Sequence, residues 1–340
     1  MNKNYFLPKV SVITPTLNSD RTLEMCLKSI RRQNYKGQVE VIVVDGGSRD
    51  RTLEIARNYK LKVFKNKLKT GEAGKAVGAK HARGEILAFI DSDNVLPSKD
   101  WLSQLIKPFR MDEEIVATEP LCFTYRRNDH WLTRYFALLG MGDPLSLFIG
   151  WYDKYSYITD RWSGLNIKIQ NKKDYFSFYL EGEIPTIGAN GFLVRKSELL
   201  KYPIRDYLFD IDVLKMLSRE KRVKVAKVKV GIIHLFTGDV GTFIRKQRRR
   251  IKDYIFFRKQ GLRVTDTDNK KIYWGIVKFV FSAILILPLL IQTLMGYLRK
   301  KDIAWLFHPI ACWLTLIIYV EETIKAPFVK GEFDRKGWKQ

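Results

Sequence analysis

Cysteine is nearly missing from this 340-residue chain: Cys26, Cys122 and Cys312 stand far apart. Three scattered thiols supply neither a disulfide framework nor the paired spacing of a zinc site, and they suit a reducing compartment. The N-terminus lacks an apolar run, since Met1 to Pro8 holds no signal-peptide core. The expectation is therefore an N-terminal region that stays in the cytoplasm. No internal repeat or low-complexity segment appears. The first strand pattern leads into Pro15-Thr16-Leu17-Asn18, not into a glycine-rich phosphate loop, which counts against a nucleotidyltransferase. Acid is scarce: 36 aspartates and glutamates face 60 lysines and arginines, a net charge of +24. That excess points to an anionic partner, a membrane surface or nucleic acid.

What is present is an alternation of strand and helix. Lys9 to Thr14 reads as a strand, and Thr22 to Gln33 carries Leu23, Cys26, Leu27 and Ile30 on one helical face. Val39 to Val44 is an apolar run ending at Asp45, followed by Gly46-Gly47-Ser48 and a helical stretch to Asn58. Leu61 to Phe64, a helix over Gly74 to His81 and a buried strand over Ile86 to Ile90 continue the pattern. Turn residues at each strand's carboxyl end predict an open, mostly parallel α/β sheet. Ile115 to Thr118 and Val223 to Val230 read as later strands. Trp131 to Tyr157 fits core helices and a lipid-facing surface equally well.

Directly after the buried strand comes Asp91-Ser92-Asp93-Asn94. Two carboxylates one residue apart at the carboxyl end of a strand can share Mg²⁺ or Mn²⁺, which favour oxygen ligands and leave positions open for phosphate. Parallel α/β sheets bind ligands at that end. Alone, such a pair is more often a solvated loop that binds no metal.

Three pieces in order carry a resemblance: Val10 to Asn18, Val43-Val44-Asp45-Gly46-Gly47-Ser48-Arg49-Asp50, and Gly84 to Asp93. They resemble the nucleotide-sugar half of the family 2 glycosyltransferases, whose fold is GT-A. The resemblance implies a nucleoside diphosphate sugar donor, UDP- or GDP-linked, held by Pro15, Thr16, Asn18, Asp45, Lys75, Asp91 and Ser92. It implies a divalent metal on Asp93, assisted by Asp91. Asp45 also reads as a plain turn or cap residue. Gly46 stands where many members have a second aspartate, and Lys75 lacks the arginine fork usual there. Ile187 to Lys196 resembles the acceptor-side strand, with Asn190 and Gly191 near substrate. At Phe209-Asp210-Ile211-Asp212 the resemblance makes Asp210 the general base, with Asp212 as fallback; both also read as helix-start carboxylates. His234 reads as a further metal ligand or as a core histidine. The implied chemistry is a single displacement with inversion at the anomeric carbon.

From Phe243 to Arg263 nine cations meet one acid, Asp253, with aromatics interleaved. This predicts a basic amphipathic helix on an anionic membrane surface, and disfavours nucleic acid because apolar segments follow. Within it Gln247, Arg248, Arg249 and Arg250 resemble the Gln-x-x-Arg-Trp acceptor motif without its tryptophan, which counts against long-chain polymerisation. Ile276 to Leu298 is long enough to span a bilayer, with a kink expected at Pro288. Ile303 to Val320 is a second run. Crossing or re-entry both remain open, since Arg299-Lys300-Lys301 between them conflicts with the positive-inside tendency. The expected organisation is a GT-A domain over 1–240 (nucleotide half 8–110, acceptor half 111–240), a basic interfacial region over 241–271, a hydrophobic hairpin over 272–322 and a polar tail over 323–340. The expected acceptor is a membrane-borne polyprenyl phosphate, polyprenyl-diphosphate-linked saccharide or glycolipid. The Thr-Ser-Gly-Phe-Arg segment of dolichyl-phosphate mannose synthases has no match, which weighs against simple lipid-phosphate glycosylation. A membrane-tethered binding protein without turnover stays open through Phe209 and Gly46.

Overall fold

The computed structural model describes residues 7–188, 190–202, 204–236, 238–263 and 269–328; most of the expected polar tail lies outside them. The chain runs β1 (Val10–Thr16), α1 (Leu23–Arg31), β2 (Val39–Asp45), α2 (Thr52–Asn58), β3 (Lys62–Lys65), α3 (Gly71–His81), β4 (Ile86–Phe89), β5 (Asn94–Val95), α4 (Trp101–Met111) and β6 (Ile115–Phe123). There follow α5 (Trp131–Leu139), α6 (Leu145–Ile149), β7 (Gln170–Asn171), β8 (Tyr175–Tyr179), β9 (Phe192–Arg195), α7 (Lys196–Leu199), α8 (Asp210–Glu220) and β10 (Lys224–His234). The last helices are α9 (Val240–Lys259), α10 (Asn269–Leu285), α11 (Leu287–Arg299) and α12 (Phe307–Lys325), the last entered through a 3₁₀ turn at Ile303–Leu306.

The first four long strands form the expected parallel sheet. Every residue of β1 and β4 is buried, as continuous apolar strands covered on both faces should be. β1 lies between β2 and β4, and β3 flanks β2. Helix α3 begins at Gly71, three residues earlier than its apolar pattern suggests, because the Thr70 hydroxyl accepts from the Ala73 N–H at 3.0 Å. Such a cap is worth ~1 kcal/mol. Beyond β4 the sheet turns antiparallel: β9 pairs with both β4 and β6, and β10 with β8. The short β5 pairs antiparallel with the end of β10, setting Asn94 opposite His234. β10 reaches His234, four residues past the strand read from sequence, because that pairing extends it.

Packing divides the chain into a sheet unit, up to Leu121 with Ile167–Leu235, and a helical unit, Cys122–Asn166 with the residues from Phe236 on. Residues 122–166, expected within a domain over 1–240, thus pack with the C-terminal helices. The aromatic stretch after Trp131 is core: Leu132, Tyr135, Phe136 and Leu139 are buried with Phe243, Trp305 and Phe307. The apolar run expected over Ile276–Leu298 is not one helix. It breaks at Ile286, whose φ is 61°, and α10 and α11 meet there at a bend of 95°. Pro288, in the first turn of α11, suits a helix start better than a helix interior.

Candidate active site

All three carboxylate clusters singled out in the sheet unit lie at strand ends or a helix start. After β2, Asp45 is buried, and its oxygens accept four hydrogen bonds. Thr16 Oγ1 donates to Oδ1 at 3.1 Å, and the Ser48 hydroxyl donates to the same oxygen. The Gly47 and Ser48 N–H groups donate to Oδ2 at 2.8 and 2.9 Å. Asn18, with φ 50°, accepts from the Arg49 N–H at 2.8 Å, and its own N–H donates to Ser48 Oγ at 2.8 Å. Thr16, Asn18 and Asp45 are thus brought together as one laced pair of loops. Pro15 is buried in β1 opposite Val44. A carboxylate offers about four acceptor positions, so the turn reading of Asp45 describes its contacts here, and a nucleotide would have to displace a donor.

The loop after β4 is stitched by Asn94, which is fully buried. Its Oδ1 accepts from the Asp91 N–H at 3.3 Å, and its amide donates to Asp93 Oδ1 at 3.2 Å and to Asn190 Oδ1 at 2.9 Å. Ser92 donates to Ser19 Oγ at 3.0 Å. His234 Nε2 lies 3.3 Å from Asp93 Oδ2, a direct consequence of the β5–β10 register. Burial pushes the Asp91 carboxyl up, Asp93 adds to that, and Lys75 and His234 oppose it. Among the described residues no three His, Cys, Asp or Glu side chains converge as a preformed metal cage. The donor set still fits Mg²⁺ or Mn²⁺, which are bound through one or two carboxylates plus phosphate oxygens and water. Gly191, expected near substrate, has the Ile232 and Trp101 side chains against it instead: an added Cβ would lie 2.8 Å from Ile232.

Asp210 opens α8 and is buried. Lys75, expected among the residues that hold the donor, reaches across from α3 to pair with Asp210 Oδ2, and its ammonium also donates to Gly188 O at 3.5 Å. Oδ1 of Asp210 is buried with no hydrogen-bond partner among the described residues. Burial pushes this carboxyl up to about 7 although Lys75 pulls the other way. Gly188 lets the two segments meet: its φ is 136°, and a Cβ there would fall 2.2 Å from Asp210 Cβ. Asp212 is buried on the same turn.

Two further residues escaped the sequence reading. Glu119 on β6 and Lys227 on β10 form an ion pair with neither side chain exposed. Glu119 Oε2 also accepts from the Gly188 N–H at 3.4 Å. The pair therefore holds the backbone whose carbonyl meets Lys75. The available signal was a charge just past one strand pattern, at Glu119, and one within the other, at Lys227.

Gln247, Arg248, Arg249 and Arg250 lie in the helical unit and are engaged there. Gln247 is fully buried and donates to Gly142 O at 2.9 Å, as does Arg250. Arg248 pairs with Glu321 and Glu322, each at 2.8 Å, and Arg249 lies 3.9 Å from Asp253. One face of the expected membrane-surface helix is thus docked on α12.

The family model for glycosyl transferase family 2 matches residues 11–179. A stretch of 137 residues is 33% identical to an N-acetylglucosaminyltransferase of Bradyrhizobium elkanii, covering 38% of this chain and 74% of that one. This chain belongs to glycosyltransferase family 2. A second family relative, the GalNAc(5)-diNAcBac-PP-undecaprenol beta-1,3-glucosyltransferase of Campylobacter jejuni, is 39% identical over 99 residues, which are 27% of this chain and 32% of that protein. The chain spans only 34% and 17% of the length of other curated relatives it matches. The mannosyltransferase of Pyrobaculum calidifontis, solved in complex with GDP-Man and Mn²⁺, superimposes over 93% of this chain and 88% of its own with a TM-score of 0.52. At 16% identity that likeness speaks for the fold, which is the GT-A fold expected from the resemblance.

Proposed function

We propose that this protein transfers a sugar, with inversion, from a nucleoside diphosphate sugar to an acceptor carried in the membrane. The observation that carries the reading is the joint presence, in one unit, of Asp91 and Asp93 after β4 with His234 at the end of β10, and of Asp210 with one oxygen unsatisfied among the described residues. The loops of Thr16, Asn18 and Asp45 would seat the nucleoside, exchanging a Ser48 contact for a base or ribose donor. Asp93, Asp91 and His234 would hold Mn²⁺ or Mg²⁺, which supplies positive charge against the departing diphosphate. The Pyrobaculum protein holds GDP-Man and Mn²⁺, which supports this donor class. Asp210 Oδ1 would take the proton of the acceptor hydroxyl as that oxygen bonds to the anomeric carbon and the bond to the diphosphate breaks. A base must be unprotonated yet retain affinity for a proton near neutral pH, and a carboxyl raised to about 7 meets both needs. Lys75 keeps a fraction of Asp210 ionised despite its burial. Attack from the face opposite the leaving group inverts the centre.

The undecaprenol-diphosphate-linked acceptor in the name of the Campylobacter relative supports a lipid-linked acceptor here. The apolar C-terminal helices support a location at the membrane, and the N-terminal domain would face the cytoplasm, where nucleotide sugars are made. The test is calorimetric binding of UDP, GDP and their sugars to detergent-purified protein, with and without Mn²⁺. Metal-dependent binding of one nucleotide that is lost in Asp93→Asn is the expected result. Equal binding by Asp93→Asn and the unaltered protein, with Mn²⁺ present, would remove Asp93 from the donor site.

A further inference from the structure

The helical unit presents an apolar face that its own core does not use. Along the 3₁₀ turn and α12, Ile303, Leu306, Ile310, Trp313, Ile317 and Val320 are all exposed, at alternating steps of three and four that continue to Ile324. That rhythm is one stripe down one side of a helix. The opposite side, with Phe307, Ala311, Cys312 and Ile318, is buried. On α10 and α11, Phe281, Ile284, Leu287 and Leu294 are likewise more than half exposed. Monomeric soluble proteins rarely leave so continuous an apolar surface open to water.

Composition alone lets α12 cross a bilayer, since Ile303–Lys325 is 23 residues long and apolar, and it lets the bent pair α10–α11 count as one span. The hydrogen bonds at the segment ends argue otherwise. Among the described residues no candidate span precedes residue 270, so Tyr125, Arg134, Tyr157 and the cationic α9 all share one side of any bilayer. The basic turn after α11 is tied to that side. Arg299 donates to Tyr157 O at 2.8 Å and to Ile158 O. Asp302 accepts from the Tyr125 hydroxyl at 2.6 Å and pairs with Arg134 at 2.9 Å. The far end of α12 is tied there too: Glu321 and Glu322 pair with Arg248, and Glu322 lies 3.3 Å from Lys252, both on α9. Tyr319 donates to Asp143 Oδ2 at 2.7 Å. The arms of the bent pair, 17 and 13 residues, reach only about 25 and 20 Å at ~1.5 Å per residue, short of a hydrocarbon core of ~30 Å.

We propose that residues 269–325 form a monotopic anchor that enters one leaflet and returns to the side it came from, with α12 lying in the plane of the interface. The inference rests on the membrane attachment proposed above and adds its topology. The occupant of the stripe is a lipid leaflet rich in anionic headgroups. Sixteen lysines and arginines face six acids between residues 240 and 328, the balance that anionic lipid attracts. Trp274, Tyr297 and Trp313 are exposed within the apolar surface, where interfacial aromatics belong. The conflict of Arg299-Lys300-Lys301 with the positive-inside tendency disappears, because that turn never leaves the side of the first 263 residues.

Sidedness is read from single cysteines at exposed Lys36 and Lys301, each in full-length protein with Cys26, Cys122 and Cys312 changed to alanine. A membrane-impermeant maleimide is applied to sealed inverted vesicles from the expressing host. Lys36→Cys and Lys301→Cys should label equally without detergent. Labelling of Lys301→Cys only after detergent, with Lys36→Cys open throughout, would overturn the monotopic reading and leave a spanning hairpin. A second measurement keeps all native cysteines: flotation of the unaltered protein and of the double variant Ile310→Glu/Ile317→Glu with phosphatidylglycerol-containing vesicles. The variant should partition at least tenfold less. Equal flotation of the two would remove the stripe from the membrane. No flotation of either, with elution as a defined dimer, would assign the stripe to a second copy. Mn²⁺-dependent nucleotide binding by the same preparations shows whether a failure touches the anchor alone or the donor site as well.

Discussion

The loop after β2 and the start of α8 both bury an aspartate, and they treat it in opposite ways. Asp45 meets four donors, three from its own loop and Thr16 from the adjoining one, so its charge is spread over neutral hydrogen bonds. Asp210 meets one ammonium from a helix 135 residues earlier, and its second oxygen has no hydrogen-bond partner among the described residues. A carboxylate with every lone pair occupied is a strut. One held by a single counter-charge and left short of partners is costly to the fold, and such sites are where chemistry concentrates.

The comparison breaks most visibly at Asp210 itself. Asp210→Asn should lower turnover by about 10²–10⁴-fold, the usual worth of a general base, while leaving Mn²⁺-dependent nucleotide binding within twofold in calorimetry. Asp45→Asn should do the reverse, weakening nucleotide binding with little change in turnover at saturating donor. Next is Lys75→Met, which strands Asp210 without its counter-charge. Breaking a buried pair costs about 3–5 kcal/mol, so chemical denaturation should show a loss of that order. The pH at which activity is half-maximal should also move upward from about 7, since Lys75 holds the carboxyl down. Gly188→Ala drives a methyl into Asp210 and strains a backbone at φ 136°. It should reduce kcat with donor KM nearly unchanged. Smallest is Asp45→Asn measured by thermal unfolding: the amide keeps one acceptor oxygen in place of two, so it cannot accept at both the hydroxyl side and the N–H side, and the expected loss is about 1–3 kcal/mol.

Much of the strut was legible in sequence, and little of the buried Lys75–Asp210 pair was. β2, its terminal Asp45 and the Gly-Gly-Ser turn are local, so propensity and turn chemistry suffice to read them. The same holds for β4 and Asp91-Ser92-Asp93. Lys75 was readable as a cation near the site, but its partner lies on another helix, and only the tertiary fold brings the two together. Asn94 is the clearest omission. It sits in the motif that drew attention, yet its work is to tie Asp91, Asp93 and Asn190 together, and that follows from β5 pairing with β10. Glu119 and Lys227 were missed because a charge at the end of a strand pattern or within one reads as solvated until the neighbouring strand is known. The break at Ile286 was hidden because the residues around it are uniformly apolar. Pro288 marked the neighbourhood without saying that a helix starts there.

The most direct test of Asp210 as the base is the pH dependence of kcat/KM with a hydroxyl acceptor. Below about 7 Asp210 is protonated and cannot accept, so activity should rise with pH, tenfold per unit, and level off above that value. The limb should vanish, at a low and flat rate, in Asp210→Asn. A profile that is flat down to pH 5, or an acid limb that survives unchanged in Asp210→Asn, would contradict the assignment.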